Sequence, residues 1–377
     1  MKNKKIGLIT IHRANNYGAF LQAFATQESL KKYGDVEVID YRNEKLESSF
    51  HLIRFNITSI KSGLGAVKDL LRIIPRWRVI RKFKLDIVNK FNLTPRLNSS
   101  EVDNYANEKF DVLVSGSDQI WNPVCVSSNE NLDTNYLLNF GRNDSKRISY
   151  ASSMGAFEID TKNINTLKKS LTSYDHISVR EIERKTEIQE LVGKDVTHVL
   201  DPTLLLSRDE WLSRFPEETK RVKQISNNKY ILFYSVPKVK KTRIVVEYFS
   251  KLTGLDVVSI DQDIYPYYRA KTKIRDASVG EFLHLFKNAE FIITDSFHGV
   301  CFSLIFRKNF FAVSPGKLSN RIVSLLDVVG LSDRLIYGKE NINSHSDFSI
   351  DYVANNVSDK IESERVKSKE FLDLSLR

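Results

Sequence analysis

Short β-branched runs alternate with helical patterns along most of the chain, the arrangement that builds βαβ units around parallel sheets. Ile6 to Ile11 (IGLITI) predicts a strand, the loop HRANNYG follows, and Ala19 to Tyr33 has helical spacing that Gly34 stops. Val36 to Tyr41, Phe110 to Val114, Arg147 to Ala151, Ile177 to Val179 and His198 to Leu200 continue the series of strands. A polar stretch from Ser207 to Asn228 closes it. A second series runs through Tyr230 to Ser235, a helix after Pro237, Val257 to Ile260, a helix near Val279 to Lys287, Phe291 to Thr294, Phe310 to Val313 and a helix at Asn320 to Val329. The pattern predicts α/β architecture with two Rossmann-like domains, 1–206 and 207–345. A charged helical tail, 346–377, is expected to pack back on the first.

Composition narrows this picture. With 377 residues, 41% hydrophobic and 28% charged, the chain is long enough for two cores and too apolar for disorder. Cys125 and Cys301 stand far apart and outside any metal-ligand spacing, which predicts two small buried side chains in a reducing compartment. The opening MKNKKIGLITIHR has too short an apolar run for a secretory signal, and no stretch approaches a membrane span. The expected location is the cytoplasm.

The 57 Lys+Arg against 47 Asp+Glu give +10, and the excess is local. Residues 52–92 hold ten bases (Arg54, Lys61, Lys68, Arg72, Arg76, Arg78, Arg81, Lys82, Lys84, Lys90) against Asp69 and Asp86, which is +8 of the +10. Apolar and aromatic residues interleave with them, including Leu70, Ile74, Trp77, Ile80 and Phe83. Divided at Pro75, this reads as two short basic amphipathic helices inserted in the first domain, of the kind that lie on anionic bilayers. A solvated basic face over packed apolar residues is the competing reading.

In open α/β sheets ligands bind beyond the carboxyl ends of the strands, where crossover loops part and helix N-termini point outward. Strand ends therefore select Asn15, Asn16, Tyr17 and Gly18; Ser115, Gly116, Ser117 and Asp118; Arg180; Asp201; and Asp295, Ser296, His298 and Gly299. Asn15 to Gly18 lacks the glycines of a dinucleotide loop, so its amides suit hydroxyl recognition or helix capping. Asp118 offers a general base toward a sugar hydroxyl, or a helix cap. Arg180 offers a planar fork to a carboxylate or phosphate, or an ion pair with Glu181 or Glu183. His298 closes the strand-to-helix loop FIITDSFHG, where the helix dipole favours anions. No acidic pair stands beside these motifs, Asp261 and Asp263 being nearest, so no metal is expected.

Together these stretches resemble the polysaccharide pyruvyl transferase family: GLITIHRANNYGAFLQAFATQ, DVLVSGSDQIWNP, RISYASSMG, ISVRE, LDPTLLL, FIITDSFHGVCFSLIFRKNFFAV and SNRIVSLLDVVGL. The resemblance implies a GT-B-like fold, two Rossmann-like domains facing a cleft. It implies transfer of the pyruvyl group of phosphoenolpyruvate onto two hydroxyls of one sugar, giving a cyclic ketal on a surface polysaccharide or its lipid-linked, polyprenyl diphosphate precursor. Phosphoenolpyruvate is then a co-substrate, no further cofactor is required, and nucleic acid is not a partner. By motif, Arg180 and His298 would bind phosphoenolpyruvate and Asp118 would face the acceptor, with Asp295 a second candidate base. Several relatives have RLHG where this chain has Ser296-Phe297-His298-Gly299, so Arg321 or Arg307 is expected to replace the absent arginine. A nucleotide-sugar glycosyltransferase and a non-catalytic polysaccharide-assembly protein are the alternative readings.

Overall fold

The computed structural model describes residues 3–52, 73–262, 268, 270–338 and 349–377. The chain divides into two compact units. One comprises Met1–Ser49, Asp86–Leu206 and Ile361–Arg377, and the other the described residues of Phe50–Leu85 and Ser207–Lys360.

The first unit is built on parallel strands β1 (Lys5–Ile9), β2 (Asp35–Val38), β3 (Val112–Ser115) and β4 (Lys146–Ser149), in the order β2-β1-β3-β4. Two further parallel strands, β5 (Ile177–Val179) and β6 (Val196–His198), follow the same progression, and bridges Ile148 to His176 and Ser152 to Val179 tie β4 to β5. The first helix, Tyr17–Leu30, is buried almost all round. Its apolar side packs in the core, and its polar side is satisfied internally: Gln22 Nε2 donates to the Ile11 carbonyl at 3.1 Å, and Gln27 Nε2 to that of Lys90 at 3.0 Å. It starts two residues before the expected point because Asn16 caps it, accepting from Ala19 N at 3.2 Å. The C-terminal helix lies on this unit. Ser368 Oγ accepts from Leu200 N at 2.9 Å, and Lys4 Nζ donates to the Leu376 carbonyl at 2.6 Å.

The second unit is a six-stranded parallel sheet of β7 (Tyr230–Tyr234), β8 (Asp256–Ile260), β9 (Thr272–Ile274), β10 (Phe291–Thr294), β11 (Asn309–Val313) and β12 (Leu335–Ile336), ordered β12-β11-β10-β7-β8-β9. Central strands β7 and β10 are buried at every position, as expected for parallel strands covered on both faces. Phe249, from the helix Lys240–Thr253, stacks on Phe291 and Phe311 at 5.8 and 4.9 Å and seals one face. Strands β9 (TKI) and β12 (LI) escape sequence reading because Lys273 interrupts the first and the second has only two residues.

The basic segment differs from its expected placement. Its described part up to Leu85 goes with the second unit, where Lys82 Nζ donates to the Asp276 carbonyl at 2.6 Å and pairs with Glu281 at 3.2 Å. Pro75 does not divide two helices there. It sits in the first turn of one helix, Ile73–Lys90, where a missing N–H costs nothing. Of the helix expected before it, from Val67, residues 67–72 lie outside the described residues.

Candidate active site

In the first unit the chain reverses direction across the sheet between β1 and β3, so their carboxyl ends flank a topological switch point. The β3 end turns through Gly116, with φ of 123°; a Cβ there would stand 2.1 Å from the Tyr150 carbonyl oxygen, so only glycine fits. Asp118 follows at φ 69°, and its carbonyl oxygen accepts from Ile120 N and Ser153 N at 2.8 and 3.0 Å. The turn therefore fixes the Asp118 backbone from both sides, and this aspartate caps no helix.

Arg180, beyond β5, lies among three carboxylates. Its Nη1 donates to Asp201 Oδ2 at 2.6 Å, Nη2 stands 3.4 Å from Asp118 Oδ1, and Nε stands 3.8 Å from Glu181 Oε1. Burial alone would lower the guanidinium pKa, but the charges of Asp201, Asp118 and Glu181 outweigh it and raise the net value. The side chains of Arg180, Asp201 and Glu181 are no more than 2% exposed, whereas Asp118 is 12% exposed. Asp118 is thus the member of this cluster that meets solvent. Of the sequence alternatives for Arg180, the Glu181 pair is present, but buried. Asp201 also closes its own turn, where Oδ1 accepts from Thr203 N at 3.0 Å and Thr203 Oγ1 at 2.7 Å.

Ser115 and Ser117, on either side of Gly116, brace the scaffold of this unit. Ser115 Oγ meets Tyr174 Oη at 3.0 Å, and Ser117 Oγ donates to the Ala151 carbonyl at 2.8 Å, both fully buried. Asn15 and Asn16 are half-buried, and Tyr17 and Gly18 are buried in the first helical turn.

Sequence reading missed a second charged group at the same edge. Arg13 forks onto Asp40, Nε to Oδ1 at 2.5 Å and Nη2 to Oδ2 at 2.6 Å, and His12 Nε2 stands 3.2 Å from Oδ1. Burial would raise the Asp40 carboxyl, but hydrogen bonds from Arg13 and His12 outweigh it and hold it well below the usual carboxylate range. Asp40 follows β2, so the strand-end rule applied to every strand would have found it.

In the second unit the reversal falls between β7 and β10. Asp295, the first residue after β10, spans it: Oδ2 accepts from Ser235 Oγ and Thr242 Oγ1 at 2.6 and 2.9 Å, and Oδ1 from Val236 N at 2.8 Å. Burial pushes its pKa up against those bonds. Both oxygens hold the loop after β7, which suits a positioning group better than a base. Ser296 caps the helix Phe297–Ile305 through Gly299 N at 3.4 Å, and a Cβ on Gly299 would stand 2.2 Å from Thr294 Oγ1.

His298 is 6% exposed in the first turn of that helix, with the Phe297 ring edge-on at 5.2 Å. Arg321, from the helix Asn320–Val329, places its guanidinium 5.6 Å from the Phe297 ring centre. The structure brings Arg321, and not Arg307, to the end of β10. Arg307 is exposed beyond the C-terminus of the same helix, before β11, roughly 13 Å away along the axis at 1.5 Å per residue. Lys238, after β7, and Lys273, in β9, stand 2.8 and 4.0 Å from Asp261, which follows β8. Asp263 lies outside the described residues. Among the described residues no group of three or more His, Cys, Asp or Glu is placed to hold a metal. Cys125 and Cys301 form no disulfide; Cys301 is buried as expected, and Cys125 is only half-buried.

Two parallel-sheet units with polar groups gathered at their carboxyl edges define an α/β protein of the GT-B-like class. The UDP-GlcNAc 2-epimerase from Neisseria meningitidis bound to UDP-GlcNAc is similar in fold, with a TM-score of 0.51 and 10% identity over 99% of this chain and 98% of that one. A Listeria monocytogenes protein described as a UDP-N-acetylglucosamine 2-epimerase has a TM-score of 0.50 and 11% identity over 98% and 91%. These likenesses show the fold alone. No curated protein matches the chain. The polysaccharide pyruvyl transferase family matches residues 16–317, and the chain belongs to that family. No helix among the described residues is long and apolar enough to cross a membrane.

Proposed function

We propose that the protein transfers the pyruvyl group of phosphoenolpyruvate onto two hydroxyls of one sugar, in a surface polysaccharide or its polyprenyl diphosphate-linked precursor at the cytoplasmic leaflet. The observation that carries this reading is the pair of candidate acid–base groups, one at each sheet edge. The first unit presents Asp118 from the Arg180 cluster, and the second presents His298 at a helix N-terminus, with Arg321 over the adjacent Phe297 ring.

Asp118 takes the proton of the attacking hydroxyl, and Arg180 orients its carboxylate. His298 and the amides of its helix N-terminus hold the phosphate, which a trianion at most requires several donors to bind. Arg321 supplies the cation that relatives carry in RLHG. Hydroxyl oxygen bonds to C2, a proton reaches the C3 methylene to make the methyl group, and the C2–O bond to phosphate breaks. The second hydroxyl then closes the ketal as its proton leaves with phosphate. His298 delivers or receives these protons.

Incubation with phosphoenolpyruvate and free or lipid-linked glycans should release phosphate together with a product carrying one pyruvyl ketal. The donor set argues for full activity in excess chelator. A requirement restored only by magnesium, or turnover of a nucleotide sugar instead, overturns the reading.

Arg321→Ala is expected to raise the KM for phosphoenolpyruvate about tenfold or more with a smaller effect on kcat, since charge-assisted hydrogen bonds contribute about 1.5–3 kcal/mol. Arg307→Ala serves as the control. Equal KM changes in the two variants would remove Arg321 from the donor site.

A further inference from the structure

The helix Ile73–Lys90 buries one face and exposes the other in a regular pattern. Val79, Ile80 and Phe83 are 0, 4 and 1% exposed, and Arg76, at 7%, donates from Nε to the His51 carbonyl at 2.8 Å. Ile74, Trp77 and Leu85 are 60, 48 and 52% exposed. Arg78, Arg81 and Lys84 are exposed between them. Positions 74, 77, 78, 81, 84 and 85 recur at three- and four-residue steps, so they share one helical face within the second unit. That face carries three cations, three large apolar side chains and no acid.

The cations on it differ from their neighbours in the same segment. Lys82 is committed to its own unit through Asp276 and Glu281. Burial would raise the Glu281 pKa, but the Ser278 amide, Arg221 and Lys82 outweigh it and hold it at about 2, so that anchor stays charged. Arg78 touches Asp276 only at 3.7 Å while 59% exposed, and Arg81 lies over the Trp77 ring at 5.5 Å. A nucleic acid would use the cations but leave Ile74 and Leu85 in water. A bilayer interface uses both, since the indole sits at headgroup level, aliphatic side chains enter the acyl boundary and bases meet anionic headgroups.

We propose that this face, Ile74, Trp77, Arg78, Arg81, Lys84 and Leu85, is a docking surface for an anionic phospholipid bilayer. It would bring the enzyme to a lipid-carried acceptor, and in that purpose it rests on the function proposed above. The binding itself does not, because its test reads no activity.

The experiment uses vesicles of phosphatidylcholine alone and of phosphatidylcholine with phosphatidylglycerol, with the full chain and the variant Trp77→Ala/Arg78→Glu/Arg81→Glu. Wild-type protein should float with the anionic vesicles only, and less as salt rises. Trp121 and Trp211 are both 0% exposed, so a blue shift of tryptophan emission on binding reports Trp77 entering the interface. The variant should lose vesicle binding by more than about tenfold, at about 1 kcal/mol per base near the surface. Its melting temperature should stay near that of wild type, because none of the three side chains is buried. Wild-type protein that does not float, a variant that floats equally, or binding without the blue shift overturns the proposal. Pyruvyl transfer to a free glycan should be equal in both proteins, and its absence from wild type counts against the proposed reaction, not against the docking face.

Discussion

Replacing His298 by alanine is expected to lower kcat for pyruvyl transfer by about 10² or more, the scale on which positioned acid–base groups act. His298 stands in the first turn of Phe297–Ile305, after β10 at the switch point, with Arg321 over the adjacent Phe297 ring. Because the ring is almost wholly buried against Phe297, alanine also removes packing, and His298→Gln separates the two effects. Glutamine keeps a donor and similar bulk but moves no proton near neutral pH. If His298 transfers the proton, Gln should be nearly as slow as Ala. If His298 only holds phosphate, Gln should restore kcat while KM stays raised. Wild-type kinetics in both variants, with unchanged melting curves, would take His298 out of the site.

The long apolar strands were legible because parallel strands buried on both faces read as continuous runs: FDVLV, YILFYS and FIIT name β3, β7 and β10 to within a residue or two. Strands β9 and β12 were not, because Lys273 interrupts the first and the second has only two residues. The helix Tyr17–Leu30 was legible although its polar residues are buried, because Gln22 and Gln27 find their partners in the backbone, which spacing cannot reveal. At the site, strand ends located the residues but not their partners. Asp118 and Asp201 are 62 and 21 positions from Arg180 in sequence, and only the fold makes them one cluster. Arg307 and Arg321 looked equivalent as replacements for the absent arginine, and helix geometry separates them by putting Arg307 at the far end. The basic segment shows the same limit. Its ten bases count alike in sequence, yet Arg76 and Lys82 hold the second unit together while Arg78 and Arg81 face outward.

Arg180→Ala is expected to affect the fold before it affects kinetics. The guanidinium balances Asp118, Asp201 and Glu181 in surroundings where Asp201 and Glu181 are almost fully buried. Removing one partner of a buried ion cluster leaves uncompensated charge and costs about 3–5 kcal/mol. In a unit of this size that lowers the melting temperature by on the order of 10 °C. The pH dependence has a definite sign. Protonation of the acids removes the negative charge that the guanidinium otherwise balances, so the variant is least destabilised in acid. The deficit against wild type should therefore narrow on acidification. Arg180→Lys keeps the charge and loses the fork that reaches Asp201 and Asp118 together, so it should fold with a much smaller loss. Its kinetics then read the site: a raised KM for phosphoenolpyruvate reports donor contact, and a lowered kcat at unchanged KM reports a misplaced Asp118 carboxylate. Arg180→Ala melting like wild type at neutral pH would mean that the three acids are not held by this residue, and the cluster would lose its assigned role in placing Asp118.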